Sequence, residues 1–165
     1  MAITQKRFMR RGVTKFFFLP KVTATPPVPS RTELTTATEL SEAISDIEGW
    51  ALENAAIDTP DMGSKFTTSI DGEDKADSSS FTFYEDQVDD SLERLLSKGV
   101  EGFVVILRKG DIPGGKSMDT FPVRVGSRSA SYTAAAEPAK FKVSFVITDQ
   151  PVLDSPVPAA AVPGP

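Results

Sequence analysis

The sequence predicts a mainly β fold, a β-sandwich or barrel of about seven strands with one flanking α-helix at about residues 87–98. Three observations carry that prediction. Several short stretches alternate apolar and polar side chains and are separated by Gly, Pro and Asp clusters, as strands and their turns are. One stretch, Phe103 to Leu107 (FVVIL), is apolar without a break and rich in β-branched residues, the pattern of a strand buried on both faces. Just before it, Val88, Leu92, Leu95 and Leu96 fall on one helical stripe. Asp86, Asp89 and Asp90 crowd the start of that helix, Arg94 and Lys98 sit near its end, and Gly99 can stop it, all in keeping with the helix dipole and cap. A helix this short is marginal alone, so it is expected to lie across the sheet and cover the buried strand.

The other elements follow in chain order. Thr14 to Val22 reads as a first strand, with Phe16 and Phe18 on one face and Phe17 and Leu19 on the other. Ala24 to Leu40 contains Pro26, Pro27 and Pro29, which forbid regular ladder pairing; it reads as a long structureless connection, a kind more often functional or interfacial. Ser41 to Asn54 is ambiguous: Ile44, Ile47 and Ala51 fit a helical face, whereas a strand needs a bulge near Gly49. A hairpin is expected next, with Phe66, Thr68 and Ile70 alternating, a turn opening at Asp71-Gly72, and a return strand carrying Phe81 and Phe83. Beyond the helix and the buried strand, Phe121, Val123 and Val125 share a face, and Phe141, Val143, Phe145 and Ile147 form the last alternating strand. From Pro151 the chain is Pro/Ala-rich and is expected to bury no core. The division is therefore a basic N-terminal arm at 1–11, a folded domain at 12–150 and a C-terminal tail at 151–165.

Composition narrows the chemistry. The 165 residues include no cysteine and no histidine, which removes disulfides, the usual zinc sites and Cys- or His-based catalysis. The net charge of −5 is uneven. Lys6, Arg7, Arg10, Arg11, Lys15 and Lys21 give residues 1–21 a charge of +6 with no acid, leaving −5 − 6 = −11 for the remainder. Such an arm can bind nucleic acid or anionic lipid, dock on the acidic body of a neighbouring copy, or stay solvated. The run Phe16–Leu19, bracketed by Lys15 and Lys21, is too short for a signal-peptide core, and no stretch is of transmembrane length. The chain reads as soluble and made in the cytoplasm.

One motif competes with a non-enzymatic reading. Residues 110–117 (GDIPGGKS) match G-x-x-x-x-G-K-[ST] after an apolar strand. A phosphate-binding loop needs a following helix, and Pro122 and the strand-like alternation after Ser117 argue against one. Asp149 is the sole candidate for the second acidic partner. A small nucleotide-binding enzyme using Lys116 and Ser117 is thus the alternative to a hairpin loop. The cluster Asp71, Glu73, Asp74 and Asp77 lacks the spacing of a calcium loop and reads as a solvated hairpin tip.

The ordered set of features resembles a known family. TKFFFLPKV after a basic start, the Pro-rich stretch ending Arg31-Thr-Glu33-Leu34, the segment from Glu39-Leu40-Ser41 to Gly49-Trp50, SFTFYED, GFVVILRKG and KFKVSFVITDQP occur in this sequence in the order seen in the major tail tube protein of long-tailed bacteriophages. That family shares a fold with the lambda-like tail tube and the type VI secretion inner tube. The resemblance spans residues 12–151 and implies a β-sandwich with a flanking helix, strand rather than helix at Ile44–Leu52, no catalysis and no cofactor. It implies hexameric rings stacked into a hollow conduit for double-stranded DNA, in a virion tail assembled in the host cytoplasm. Its partners would be further copies of itself, a tape measure protein, and tail terminator and distal tail proteins. A tail terminator or a contractile inner tube is the variant reading within that fold. Under the resemblance the candidate subunit contacts are Lys6, Arg7, Arg10 and Arg11 of the arm, Arg31 and Glu33 of the long loop, and Asp71, Glu73 and Asp74 of the hairpin tip. An acidic bore would repel phosphates within a Debye length of ~8 Å and let DNA slide.

Overall fold

A computed structural model describes residues 1–160. The elements are β1 (Lys15–Leu19), α1 (Arg31–Thr36), β2 (Thr38–Glu39), β3 (Ile44–Glu48), β4 (Leu52–Thr59), β5 (Thr68–Ala76), β6 (Ser79–Tyr84), α2 (Ser91–Leu95), β7 (Glu101–Leu107), β8 (Lys116–Ser131), β9 (Lys140–Ile147) and β10 (Val152–Pro156). The fold is mainly β, as predicted. Strands pair in the order β2-β1-β7-β8-β9-β6-β3, β10 adds to β8, and β4 and β5 form a separate two-stranded ribbon.

The long strand β8 organises the sheet. Its first half pairs with β7 along one edge, from Met118↔Leu107 to Arg124↔Glu101. From Val123 onward it pairs with β9, from Val123↔Ile147 to Ser131↔Lys140, past a bulge at Gly126. The sheet folds over at this strand. Laid flat, β1 and β6 would be four strand spacings apart, about 19 Å. Instead the rings of Phe16 and Phe81 meet edge-on at 5.5 Å between centroids. One layer is β2-β1-β7-β8 with β10; the other is the second half of β8 with β9, β6 and β3.

Two apolar cores result. Between the layers lie Phe18, Val104 and Ile106 from one side and Phe81, Phe83, Phe141, Val143 and Phe145 from the other. Trp50 stacks on Phe81 at 4.7 Å and seals this core. On the far face of the first layer, Leu19, Val105, Leu107 and Met118 pack beneath Leu34 and Val157. This is why the run in β7 has no polar alternate: Val104 and Ile106 point into one core, Val105 and Leu107 into the other. Each such side chain contributes roughly 1.5–3 kcal/mol by leaving water.

Several expectations are corrected. The helix expected at 87–98 is only Ser91–Leu95, although Leu92, Leu95 and Leu96 do pack on the first core. Asp86 Oδ1 accepts from the N–H groups of Val88 and Asp89, and Asp89 Oδ1 from that of Ser91, so short acidic side chains hold the approach in turns. Val88 is consequently exposed. The supposedly structureless Ala24–Leu40 contains α1, opened by a capping box in which the Ser30 hydroxyl accepts from Glu33 N–H and Glu33 Oε2 accepts from Ser30 N–H. Ile44–Leu52 is strand broken at Gly49 and Trp50, both at positive φ, as the resemblance implies and the helical periodicity does not. The expected turn at Asp71-Gly72 lies inside β5, and the reversal falls at residues 60–67. A Cβ on Gly72 would sit 1.8 Å from the Ala55 carbonyl oxygen, so this glycine serves a bulge rather than a turn. The tail does contribute to a core: β10 pairs with β8, and Val157 is buried. Residues 161–165 of the predicted tail lie outside the described residues.

Candidate assembly surfaces

The basic arm is solvent-exposed from Met1 to Gly12 and belongs to no strand or helix. Among the described residues Lys6, Arg7, Arg10 and Arg11 form no ion pair. Arg10 anchors the end of the arm by donating from Nη1 to the Arg108 carbonyl. Ile3, Phe8 and Met9 are exposed among these cations.

Arg31 and Glu33 are engaged within the chain. The Arg31 guanidinium meets both carboxylate oxygens of Asp111 at 2.8 Å and donates to the carbonyls of Pro158 and Ala159. The hydrogen bonds with Asp111 raise the pKa of Arg31, and the same contact lowers that of Asp111. Glu33 accepts from the backbone N–H groups of Ser30 and Thr23, which hold its carboxyl below the ordinary range. Both side chains therefore lock α1 to its surroundings.

Asp71, Glu73 and Asp74 lie along β5 of the ribbon. Asp74 Oδ1 accepts from Asn54 Nδ2 at 2.7 Å, across the pair. The ribbon packs chiefly on itself and exposes Leu52, Ile57, Met62, Phe66 and Ile70, with Ile57 and Ile70 opposite each other. A lone two-stranded ribbon is marginal in water, and this one leaves its apolar side chains without neighbours to bury them. Among the described residues no group of three or more His, Cys, Asp or Glu side chains is placed to hold a metal ion.

Residues 110–117 are a hairpin loop between β7 and β8. Their N–H groups are used locally: Gly110 donates to Leu107, Ile112 to Gly110, Gly115 to Ile112 and Ser117 to Gly115, while Gly114 donates to Val157. Lys116 and Ser117 begin β8, with no helix after them. The loop has no converging donors for a phosphate, so the nucleotide-site alternative has no geometric basis.

Two features escaped the sequence. The second layer is a four-stranded sheet open at both sides. Among the described residues, on one side β3 pairs only with β6; on the other, β8 from Gly126 to Ser131 pairs only with β9, because contact with the β7 side ends at Val125. Unpaired edges template further strands unless something covers them. The other feature is a charge cluster securing β10: Arg108 Nε meets Asp119 Oδ2 at 3.0 Å, Arg108 also contacts Asp154, and Asp154 N–H donates to Asp119 Oδ1. Burial raises the pKa of Asp119. An edge is a property of pairing topology, which one strand's pattern does not encode; the cluster joins residues 46 positions apart.

Comparison with known proteins bears on these surfaces. A family model described as phage tail tube protein matches residues 1–160. No curated protein matches the sequence. A chain in the six-fold symmetrised cryo-EM structure of the anti-feeding prophage baseplate is similar over 92% of this chain and 98% of its own, with a TM-score of 0.56 and 11% identity. A chain in the tail of an empty GTA particle, refined helically with C6 symmetry, is similar over 91% of this chain and 100% of its own, with a TM-score of 0.54 and 8% identity. At these identities the structural likeness is one of fold.

Proposed function

Because the chain belongs to the phage tail tube protein family and is a structural component of a phage tail, we propose that six copies close into a ring through the open edges of the second layer, and that stacked rings form the conduit for double-stranded DNA. The observation that carries this reading is the four-stranded sheet with β3 unpaired at one side and the second half of β8 unpaired at the other. The two edges come from different strands, so joining them is heterologous, the contact type that generates rings. Both assemblies of like fold have six-fold symmetry. Six copies of four strands at ~4.8 Å give a circumference of ~115 Å and a backbone diameter of ~37 Å, more once the strands tilt. That bore admits a DNA duplex.

Ring-to-ring contact falls to the parts that protrude unpaired: the ribbon with Asp71, Glu73, Asp74 and its apolar tip, and the arm with Lys6, Arg7, Arg10 and Arg11. A tape measure protein would occupy the bore during growth, with terminator and distal tail proteins at the two ends.

The edges can be tested by disulfide trapping in a chain that has no cysteine of its own. Asp46, Thr82, Lys142 and Ser129 lie in one row across the layer. Within one copy three strand spacings put Asp46 and Ser129 about 14 Å apart, beyond the ~7 Å a disulfide spans. Asp46→Cys combined with Ser129→Cys, or with Ser127→Cys or Ser131→Cys to allow for stagger, should cross-link only between copies. The expected result is an oxidised ladder ending at six, with rings or tubes about a hundred Å wide by electron microscopy. Monomer alone, even with the tape measure protein co-expressed, would refute the proposal.

A further inference from the structure

The two layers end in different ways. In the second layer β3 and the second half of β8 contain no proline, and among the described residues nothing covers them. In the first layer both sides are closed. At one, β1 is paired with only two residues of β2, and the groups just beyond are taken: Phe16 N–H donates to Ser41 Oγ, and Leu40 N–H donates to the Phe16 carbonyl. At the other, Val123 pairs with both Gly102 and Ile147, and Thr120 with both Val105 and Val152, so β9 and β10 share the edge of β8 opposite β7. The Thr148 N–H fills the gap between them by donating to the Pro122 carbonyl. Without β10 this edge would be bare from Lys116 to Thr120.

β10 covers that edge without offering a new one. Pro151 and Pro156 have no N–H to donate. The register shifts on both sides of Ser155, and Asp154 sits at φ 56°, outside strand geometry. The N–H groups of Asp154 and Val157 turn inward, to Asp119 Oδ1 and the Gly115 carbonyl. A strand built this way does not template another. Side chains do much of the holding: Ser155 Oγ donates to the Met118 carbonyl, Arg108 contacts both Asp119 and Asp154, and Val157 is buried.

We propose that residues 152–157 are an edge guard: they occupy the Lys116–Thr120 edge so that β3 of a second copy cannot pair there, and so confine association to the edges of the second layer. The inference goes beyond the ring reading and rests on it for the product that the guard protects. Each copy has one free β3 edge. With the segment displaced, β8 would present two acceptors for it: residues 116–120 on one side of the strand and residues 126–131 on the other. A β3 bound at the first acceptor makes a different heterologous contact from the one that closes a ring, and mixing the two contacts gives open or branched chains. The bare edge would also uncover Leu107 and Met118 of the second core, which adds an apolar reward to the wrong pairing.

The test uses the full chain with the segment released and then locked. Val157→Asp puts a carboxylate into the second core and so frees the segment. The same chain also carries Val152→Cys and Thr120→Cys, which are register partners, so that oxidation ties the segment back onto β8. Reduced, this variant should sediment as irregular species with no endpoint at six and give at least about fivefold fewer tubes than wild type. Oxidised, it should return to wild-type yield. Fluorescence of Trp50, the single tryptophan, reports the first core in both states. Wild-type yield from the reduced variant would overturn the guard. Irregular association that oxidation does not correct would overturn it by placing the cause elsewhere, and loss of the folded Trp50 signal in both states would overturn it by making the segment part of the core. If the wild type itself gives no rings and no disulfide ladder, the ring reading falls alone: association seen only in the reduced variant would still show a guarded edge.

Discussion

The β7 hairpin and the β4–β5 ribbon are both antiparallel pairs, and they settle their apolar side chains in opposite ways. Every side chain from Val104 to Leu107 is buried within the subunit, in one of two cores. The ribbon leaves Ile57, Phe66 and Ile70 in water and packs on little but itself. The first pair makes the subunit; the second lacks the neighbours that would make it stable alone, which is the expected condition of a part completed by assembly. Stability and assembly should therefore respond separately to substitutions in the two regions.

The largest effect is expected from truncating the inner core. Phe81→Ala removes a ring that touches Phe16, Trp50, Phe83 and Phe145, and should cost about 3–5 kcal/mol in urea unfolding of the subunit. Phe66→Ala on the ribbon should leave subunit stability within ~0.5 kcal/mol and abolish or shorten tubes seen by electron microscopy. A destabilised subunit from Phe66→Ala would mean that the ribbon packs at home after all.

Two glycines sharpen the comparison. A Cβ at Gly102 would lie 2.5 Å from Phe18 Cζ and 2.6 Å from the Leu19 carbonyl oxygen, so Gly102→Ala should cost about 1–3 kcal/mol of subunit stability, read from the urea midpoint. At Gly72 the clash with the Ala55 carbonyl is closer still, yet Gly72→Ala should leave that midpoint unchanged, since it disturbs only the ribbon; tube yield should fall. Equal losses of stability would show that the two regions are one cooperative unit.

What the sequence made legible follows the same division. The alternations in β1, β6 and β9 and the unbroken run in β7 were readable because each reports burial against the subunit's own core. The ribbon was misplaced because Asp71-Gly72 carries the signal of a turn, and only the partner strand reveals that the glycine accommodates a bulge. The Ser30-x-x-Glu33 capping box was visible in the letters but was hidden among three prolines. The helix over 87–98 was overextended because Asp86 and Asp89 suit a helix start and equally the turns they form. The open edges of β3 and β8 were not legible at all, since they depend on which strands stop short of which. Of the candidate contacts, the arm cations and the ribbon acids are on exposed parts, whereas Arg31 and Glu33 turn out to bind their own chain.

A smaller effect is expected at the seam between the closed core and the C-terminal segment. Arg31→Ala frees Asp111 and the carbonyls of Pro158 and Ala159 together. The pair is near the surface, so the loss should be about 1 kcal/mol in urea unfolding. Hydrogen exchange should nevertheless rise at Gly114 and Val157, whose N–H groups bond the loop to that segment, and not in the ribbon. Exchange that rises in the ribbon as well would mean that the core and the ribbon open together.

The smallest effect is one of pH, and it also belongs to the closed side. Burial raises the Asp119 pKa, so the folded state favours the protonated form more than the unfolded chain does. The stability this provides is present in full below the unfolded value, ~3.9, and is lost as pH rises through the folded one. Asp111 and Glu33 act in the opposite sense: their lowered values contribute above the unfolded pKa and fade as pH falls through the folded one. The wild type should thus lose net stability in acid, with Asp119 opposing the trend. Asp119→Asn mimics the protonated side chain, so its stability relative to wild type should be greatest at neutral pH and the difference should move against the variant as Asp119 takes up its proton. Urea midpoints at neutral pH and near pH 4 check this. A difference that moves in the variant's favour on acidification would mean that Arg108 governs Asp119 more strongly than burial does.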